Sequence, residues 1–214
     1  MTKISHLRNR MKNEYVSRNL NEAAALGEAL IKEQISQTPG PGFSNDLFNL
    51  GLVYDEQNRL EKAAALYTKS LHHAGARDYE ALATRSVNLA GVFARMEFFE
   101  PALHFYIQAR EISKRHLGEE HPIYADTLYN LANLITDTDQ DEAAISLHEE
   151  ALAIREKTGL PDDILHSLHS LASLHGEAGD YEKALAYYSK ALDKTFSIES
   201  QNNDVLLSKI VIDD

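Results

Sequence analysis

The sequence predicts an all-α protein, a solenoid built by stacking antiparallel helix pairs. Three observations predict this fold class. The related motifs FNLG, VNLA, YNLA and HSLA return at spacings of 39, 42 and 40 residues, and a period of this length indicates a repeat architecture. Within each repeat, apolar residues recur three and four positions apart, which is the period of a helix. Glycine and proline fall between these segments, as expected at helix ends.

Four repeats are predicted over residues 44–198. The clearest is the last, where Gly179 and Asp180 separate one helical stripe from a second, alanine-rich stripe. Each repeat therefore predicts two helices joined by a short turn. The stripes in sequence order are Leu47, Leu50, Gly51 and Tyr54 with Ala63, Tyr67 and Ser70; Leu89, Ala90 and Phe93 with Ala102, Tyr106 and Ala109; Leu128, Leu131, Ala132 and Ile135 with Ala144, His148 and Ala151; and Leu168, Leu171, Ala172 and His175 with Ala184, Tyr188 and Ala191.

The two ends of the sequence depart from this pattern. Residues 1–40 predict a degenerate N-terminal helical repeat, because Leu7, Met11 and Tyr15 precede the alanine-rich segment NEAAALGEALIKE. Ser44 follows Gly40-Pro41-Gly42 and is expected to be the N-cap of the next helix. Residues 199–214 predict a capping helix, the start of a further repeat, or a surface for self-association. The apolar residues of this last segment are Leu206, Leu207, Ile210 and Val211.

Composition disfavours several classes of function. The net charge of −12 disfavours binding to nucleic acid and to anionic membranes. The protein has no cysteine, which excludes disulfides, thiolate zinc sites and cysteine nucleophiles. It has neither an apolar run of about 18 residues nor an N-terminal segment of signal-peptide type, so a cytoplasmic location is expected.

One repeat carries a recognisable motif. Leu47-x-x-Leu50-Gly51-x-x-Tyr54, followed by Ala63 and Tyr67, resembles the tetratricopeptide repeat (TPR) pattern. The longer segment LGEEHPIYADTLYNLANL, with DEAAISLHEEALAIREKTG, resembles the 42-residue variant of kinesin light chains. Ser86, Asp141 and the shortened linker TGLPDD depart from the family pattern. The resemblance implies a right-handed superhelix whose concave groove is lined by the first helix of each pair.

A polar residue recurs on the first helix of each repeat. When Ala63, Ala102, Ala144 and Ala184 of the second helices are counted as position 20, position 6 is Asn49, Asn88, Asn130 and Ser170. This position points away from the leucine stripe. A carboxamide both donates and accepts, so a row of asparagines suits the backbone of an extended peptide, a use that the resemblance also implies. The alternatives are a solvated polar face and a bond to a neighbouring helix.

The same face predicts a wider peptide-binding groove. Acidic side chains outnumber arginine on it, which favours a neutral or basic partner, with an apolar anchor near Phe48, Val87 and Tyr129. The remaining predicted groove residues are Asn45, Asp126, Asn133, His166 and His169.

The expected function is a non-catalytic scaffold or adaptor that binds a protein or peptide. One alternative is a regulatory sensor whose curvature changes when a signalling peptide binds. Another is an enzyme that uses His166 and His169, which lie three residues apart on one helical face. No carboxylate at the matching spacing completes a metal site, and no phosphate-binding loop or nucleophile motif is present. We therefore expect no catalysis, metal or cofactor.

Overall fold

The computed structural model describes residues 2–40, 42–136, 141–158 and 160–209, and all regular structure in this part of the protein is helical. The prediction of an all-α solenoid of TPR-like helix pairs is thus confirmed. The helices are α1 Lys3–Val16, α2 Leu20–Ser36, α3 Phe43–Glu56, α4 Leu60–His72, α5 Tyr79–Arg95, α6 Phe99–Ile112, α7 Pro122–Ile135, α8 Asp141–Thr158, α9 Pro161–Glu177 and α10 Tyr181–Lys209. A π-helical turn, Ser113–Leu117, continues α6.

The helices form pairs within two compact units. The first unit, residues 1–117, contains the pairs α1/α2, α3/α4 and α5/α6. The second unit, residues 118–214, contains α7/α8 and α9/α10. Each helix packs most extensively against the other member of its pair, and less extensively against the following pair of the same unit.

Small residues allow the two helices of a pair to approach closely. Each second helix has a buried alanine at the same repeat position, namely Ala23, Ala63, Ala102, Ala144 and Ala184. In α3, a methyl group added at Gly51 would lie 2.6 Å from Cε1 of Tyr67. Tyr67 is fully buried and fills the space that this glycine leaves. Burial of a side chain as large as this one contributes roughly 1.5–3 kcal/mol.

The helix ends follow the predicted punctuation with one exception. His121 caps α7, since its Nδ1 accepts a hydrogen bond from the backbone N–H of Ile123. The prediction that Ser44 caps α3 is wrong, because α3 begins at Phe43 and its cap residue is Gly42 at φ 91°. Glycine adopts this left-handed conformation without strain. The Ser44 hydroxyl instead donates to the carbonyl of Ser70 at 2.8 Å, joining α3 to α4.

Both terminal segments extend the helical arrangement. The pair α1/α2 lies within the N-terminal segment predicted to be a repeat, and the predicted boundary at residue 199 falls inside α10, which runs unbroken to Lys209. Leu206 and Leu207 belong to that helix, whereas Ile210 and Val211 lie outside the described residues. None of the helices described has the combined length and apolar character that crossing a bilayer requires.

Candidate functional site

The predicted asparagines lie on the first helices of successive pairs, outside the leucine core. In α3, Leu47 and Leu50 are buried while Asn49 between them is exposed. Asn88 on α5 and Asn130 on α7 are partly buried. This difference follows from helix geometry, because side chains two positions apart, such as Leu47 and Asn49, point about 200° apart around the helix axis.

The first unit contains a further asparagine at this position, on α1. Asn9 lies 40 residues before Asn49, and it occupies position 6 when Ala23 is counted as position 20. Asn9 was not among the predicted residues, because α1 lacks the leucine–small-residue pair that follows the other asparagines. The repeat spacing alone would have identified it.

Asn9 and Asn49 line the same cavity, of about 590 Å³, between α1 and α3. The cavity has an apolar part formed by Met11, Val16 and Leu52. Lys12 adds a cation at its edge. Arg8 and Tyr15 complete the lining. The cavity therefore combines room for an apolar side chain with two carboxamides, a composition typical of sites that orient a ligand through a few polar groups.

The carboxamides of Asn9 and Asn49 make no hydrogen bond with any residue that the structure describes. Both side chains are exposed. Each therefore has its oxygen acceptor and both N–H donors available to a ligand. Lys12 is also exposed and has no ion-pair partner within the described ranges.

Asn88 and Asn130 differ from these two residues. The Nδ2 of Asn88 donates to the carbonyl of Thr84 at 2.8 Å. The Nδ2 of Asn130 donates to the carbonyl of Asp126 at 2.8 Å. Each amide thus bonds its own helix four residues earlier, as polar side chains within helices commonly do. One donor is used in each case, and the side-chain oxygen is left to accept from another group.

Two predicted groove residues of the first unit contact a buried arginine from the next helix pair. Arg85 of α5 is 3% exposed. Its Nε donates to the hydroxyl of Ser70 at 2.6 Å, and its Nη2 donates to Oδ1 of Asn45. Its guanidinium also lies 5.4 Å from the ring centroid of Phe48. Burial lowers the pKa of Arg85, but its side chain stays charged.

The second unit also has a buried arginine between neighbouring helix pairs, but this arginine comes from the second helix of its pair. Arg155 of α8 is 5% exposed. It donates to Oδ1 of Asp126 on α7 at 2.8 Å and to the hydroxyl of Ser167 on α9 at 2.9 Å. Its guanidinium lies 4.3 Å from the ring centroid of Tyr129. Asn45, Phe48, Asp126 and Tyr129 therefore hold neighbouring helix pairs together.

A third cluster of the same kind joins the first two pairs. Asp46 of α3 is 2% exposed and accepts two hydrogen bonds from Arg8 of α1, at 2.7 and 2.5 Å. Gln34 of α2 donates to the same carboxylate at 2.8 Å. These three clusters are called junction clusters below. Each links both helices of one pair to the first helix of the next, and its hydrogen bonds offset part of the cost of burying polar groups. Nη1 of Arg85 and Nε of Arg155 have no hydrogen-bond partner among the described residues.

Acidic groove residues of the first unit are also paired within the protein. Arg95 of α5 forms an ion pair with Asp55. Arg18 pairs with Glu56, which also accepts a hydrogen bond from the hydroxyl of Tyr15. Burial and this hydrogen bond raise the pKa of Tyr15 to about 12. The surplus of acids that predicted a basic partner is therefore largely compensated by the protein's own arginines.

The remaining predicted residues occupy exposed or partly exposed positions. Val87 is partly buried on α5, and Asn133 is exposed on α7. On α9, His166 and His169 are exposed, and the hydroxyl of Ser170 lies 3.3 Å from that of Tyr129. Within the described ranges, no group of three or more His, Cys, Asp or Glu side chains is arranged to hold a metal ion.

The structure thus brings the predicted residues together separately in each unit. In the first unit, Asn45, Phe48, Asn49, Val87 and Asn88 share the face of the first helices with Asn9. In the second unit, that face carries Asp126, Tyr129, Asn130, Asn133, His166, His169 and Ser170. The cavity between α1 and α3 combines uncommitted carboxamides with an apolar wall.

Solved structures share this arrangement of helices. BtubC (BKLC) from P. vanneervenii is 24% identical with a TM-score of 0.80, over 92% of this protein and 81% of BtubC. The apo form of RapI is 18% identical with a TM-score of 0.81, over 95% of this protein and 74% of RapI. The nearly identical TPR-like repeats of a putative kinesin light chain from Podosopora anserina are 20% identical, with a TM-score of 0.69 over 94% and 99% of the two proteins. At these identities the likeness shows a common fold.

Sequence comparisons identify the family. Among curated proteins, no sequence matches this one. Two family models described as "Tetratricopeptide repeat" match, one over residues 80–157 and 128–194 and the other over residues 47–80. Together the matches span residues 47–194, which is more than half of the 214 residues. This chain therefore belongs to the tetratricopeptide repeat family.

Proposed function

We propose that this protein is a non-catalytic scaffold or adaptor that binds an extended peptide segment of a partner protein across α1 and α3. The observation that carries the proposal is the cavity shared by Asn9 and Asn49, whose carboxamides are uncommitted. The family and the fold are consistent with a protein-binding scaffold.

The chemistry of the cavity suits an extended peptide. A carboxamide accepts from a backbone N–H and donates to a backbone carbonyl, so it binds a peptide with little regard to sequence. An apolar side chain of the peptide would enter beside Met11, Val16 and Leu52, where its burial contributes roughly 1.5–3 kcal/mol. The carboxamides would then fix the position and direction of the peptide backbone, while the apolar wall would select for an apolar side chain.

The proposed partner is a neutral peptide with one apolar anchor residue. Asp55, Glu56 and Asp126 give no preference for basic peptides, because each is paired with an arginine. The net charge of −12 disfavours nucleic acid and anionic membranes as partners. The absence of catalysis and of cofactors, and the cytoplasmic location, stay predictions from the sequence.

The second unit provides a second, weaker surface of the same kind. Asn130 keeps a free side-chain oxygen, and Asn133, His166 and His169 are exposed beside it on α7 and α9. Tyr129 and Ser170 contribute hydroxyl groups. We propose that a longer partner segment contacts these residues as well.

Affinity capture from the native cell tests the proposal. Wild-type protein is compared with the double variant Asn9→Ala/Asn49→Ala, and bound proteins are identified. Loss of the carboxamide bonds, at about 0.5–1.5 kcal/mol each, should weaken capture at least severalfold. Asn13→Ala is the matched control, because Asn13 is exposed on α1 outside the cavity. Equal capture by all three proteins, with equal melting temperatures, would refute the carboxamide contact.

A regulatory sensor is the second candidate function. The feature that favours it is the division of the protein into two compact units, with the boundary between Leu117 and Gly118, where φ is 103°. A peptide that binds one arrangement of the units better than another would shift their equilibrium. Small-angle scattering with and without the captured partner's peptide tests this: an unchanged radius of gyration at saturation supports a rigid scaffold instead.

A further inference from the structure

The last helix, α10, has an apolar face with no neighbouring helix among the described residues. Its large side chains Tyr181, Leu185, Tyr188, Leu192 and Phe196 are between 49% and 74% exposed. They lie at spacings of four, three, four and four residues and so share one side of the helix. An adjacent side of α10 packs on α9 through Ala184 and Ala191. Tyr188 lies where the two sides meet, with its ring centroid 6.2 Å from that of His169 on α9.

The equivalent face is covered in the preceding pair. On α8, Ile145 and Leu152 correspond to Leu185 and Leu192 in the repeat numbering. Leu152 is 6% exposed and Ile145 is partly buried, because α9 packs against α8. The face of α10 is therefore a helix-packing surface, whose natural complement is another helix.

The area of this face is sufficient for an interface between two copies. Five large side chains at these exposures leave on the order of 600 Å² of accessible surface on one copy. Pairing the same face of two copies would bury about 1,200 Å² in total, which is within the range of specific interfaces. Single exposed apolar residues are common, but a contiguous patch of about 600 Å² is at the upper end of what monomeric proteins expose and is often functional.

The spacing of the face favours a second copy of the same helix. Tyr181, Leu185, Tyr188 and Leu192 repeat at intervals of four, three and four residues, which is the seam at which two like helices interlock. α10 is also longer than its partner α9, with 29 residues against 17. The additional residues extend the helix by roughly 18 Å.

Helix α1 does not offer a complementary surface. In α3, α5 and α9, the residues that face the preceding pair are apolar: Leu50 and Val53, Leu89 and Val92, and Leu171 and Leu174. The corresponding residues of α1 are Arg10 and Asn13, both exposed. A head-to-tail stack of copies would place these polar groups against the apolar face of α10, at a cost in desolvation.

We propose that two copies of this protein associate through α10, with the same apolar face contributed by each. The interface is isologous, because the same residues meet on both sides of a two-fold axis. It uses none of the residues that line the cavity between α1 and α3. The dimer would therefore present two peptide-binding sites.

Sedimentation equilibrium from micromolar to submillimolar concentration tests the proposal. Wild-type protein should reach twice the 24.0 kDa mass of one copy. The variant Leu185→Glu/Leu192→Glu should have half that mass, because it places charges in the seam. Leu103→Glu is the matched control: Leu103 occupies the same repeat position on α6 and is 39% exposed, and this variant should remain dimeric.

Crosslinking provides a second test that does not depend on the glutamate variants folding. The protein has no cysteine, so a single introduced thiol reports only on its own site. Oxidised Tyr188→Cys should form a covalent dimer, because position 188 lies at the centre of the seam; Ile107→Cys on α6 should not. A wild-type protein that stays at 24.0 kDa, species that grow beyond two copies, or crosslinking at both cysteines alike would overturn the proposal.

Discussion

The guanidinium of Arg155 lies over the ring of Tyr129, 4.3 Å from its centroid, while its N–H groups bond helices on either side. Tyr129 was predicted to be an anchor site for a peptide. The contact shows that one face of its ring is used to hold the protein's own junction. Cation–π contacts of this kind contribute about 0.5–2 kcal/mol.

Removal of Arg155 should destabilise the second unit. Arg155→Ala leaves the buried Ser167 hydroxyl without its donor and removes the packing of the arginine stem, at a combined cost of roughly 2–4 kcal/mol. Urea denaturation measures this change. Lys157→Ala, on the same helix, removes an exposed ion pair with Glu120 and should change the denaturation midpoint little. Equal midpoints for the two variants would contradict the structural role of Arg155.

Stability should fall when the pH is lowered from 6.5 towards 4. His148 is 1% exposed and its Nδ1 has no hydrogen-bond partner among the described residues. Burial, with a smaller contribution from Arg155, lowers its pKa from 6.5 to about 4. Below pH 6.5 the unfolded state binds a proton that the folded state does not, so acid favours unfolding. The full difference corresponds to about 3 kcal/mol, measurable by denaturation at a series of pH values.

His148→Tyr is the control for this pH dependence. Tyrosine occupies the same repeat position at Tyr67, Tyr106 and Tyr188, and it does not titrate in this range. Between pH 6.5 and 4, the free energy of unfolding of this variant should depend much less on pH than that of the wild type, whatever its stability at neutral pH. If this dependence is unchanged, another group causes the acid sensitivity.

Two glycine substitutions should change stability in opposite directions. Gly51→Ala places a methyl group 2.6 Å from Tyr67, whose ring is fully buried and cannot move aside; overpacking of this kind costs about 1–3 kcal/mol. At Gly91 of α5 the nearest atom is the Tyr106 hydroxyl, at 3.5 Å. Gly91→Ala should therefore gain up to about 1 kcal/mol from helix propensity. Thermal melting of both variants shows whether the contact with Tyr67 determines the direction of the stability change.

The asparagines should not contribute equally to partner binding. Asn49 has its whole carboxamide available, whereas Asn88 already donates to Thr84. In titrations of a captured partner's peptide, Asn49→Ala should therefore weaken binding more than Asn88→Ala does. The reverse order would indicate that the peptide lies closer to α5 than to α1.

The repeat period and the helical stripes were sufficient to predict the fold. Small residues such as Gly51 and Ala63 recur at fixed positions because helix pairs pack in the same way each time. Residues 1–40 were predicted to be a degenerate repeat, yet Asn9 keeps the spacing of the later asparagines. Periodicity is thus a stronger signal than the identity of flanking residues.

The junction clusters were not predictable from that pattern. A charged residue on a helix is expected to be solvated, and nothing in the local sequence marks Arg85 or Arg155 as buried. Their partners come from two other helices, 15 and 40 residues from Arg85 and 12 and 29 from Arg155. Only the packing of three helices shows which arginines are exposed and which are internal.

The origin of the arginine differs from one junction cluster to the next. Arg8 comes from the first helix of the earlier pair, Arg85 from the first helix of the later pair, and Arg155 from the second helix of the earlier pair. Each boundary thus has its own matching partners, and the helix pairs are not interchangeable modules. A chimera that joins α9/α10 directly to α3/α4 would supply Ser167 where Asn45 needs a guanidinium. Any shuffling, deletion or duplication of repeats in this protein must carry the matching neighbour along with it.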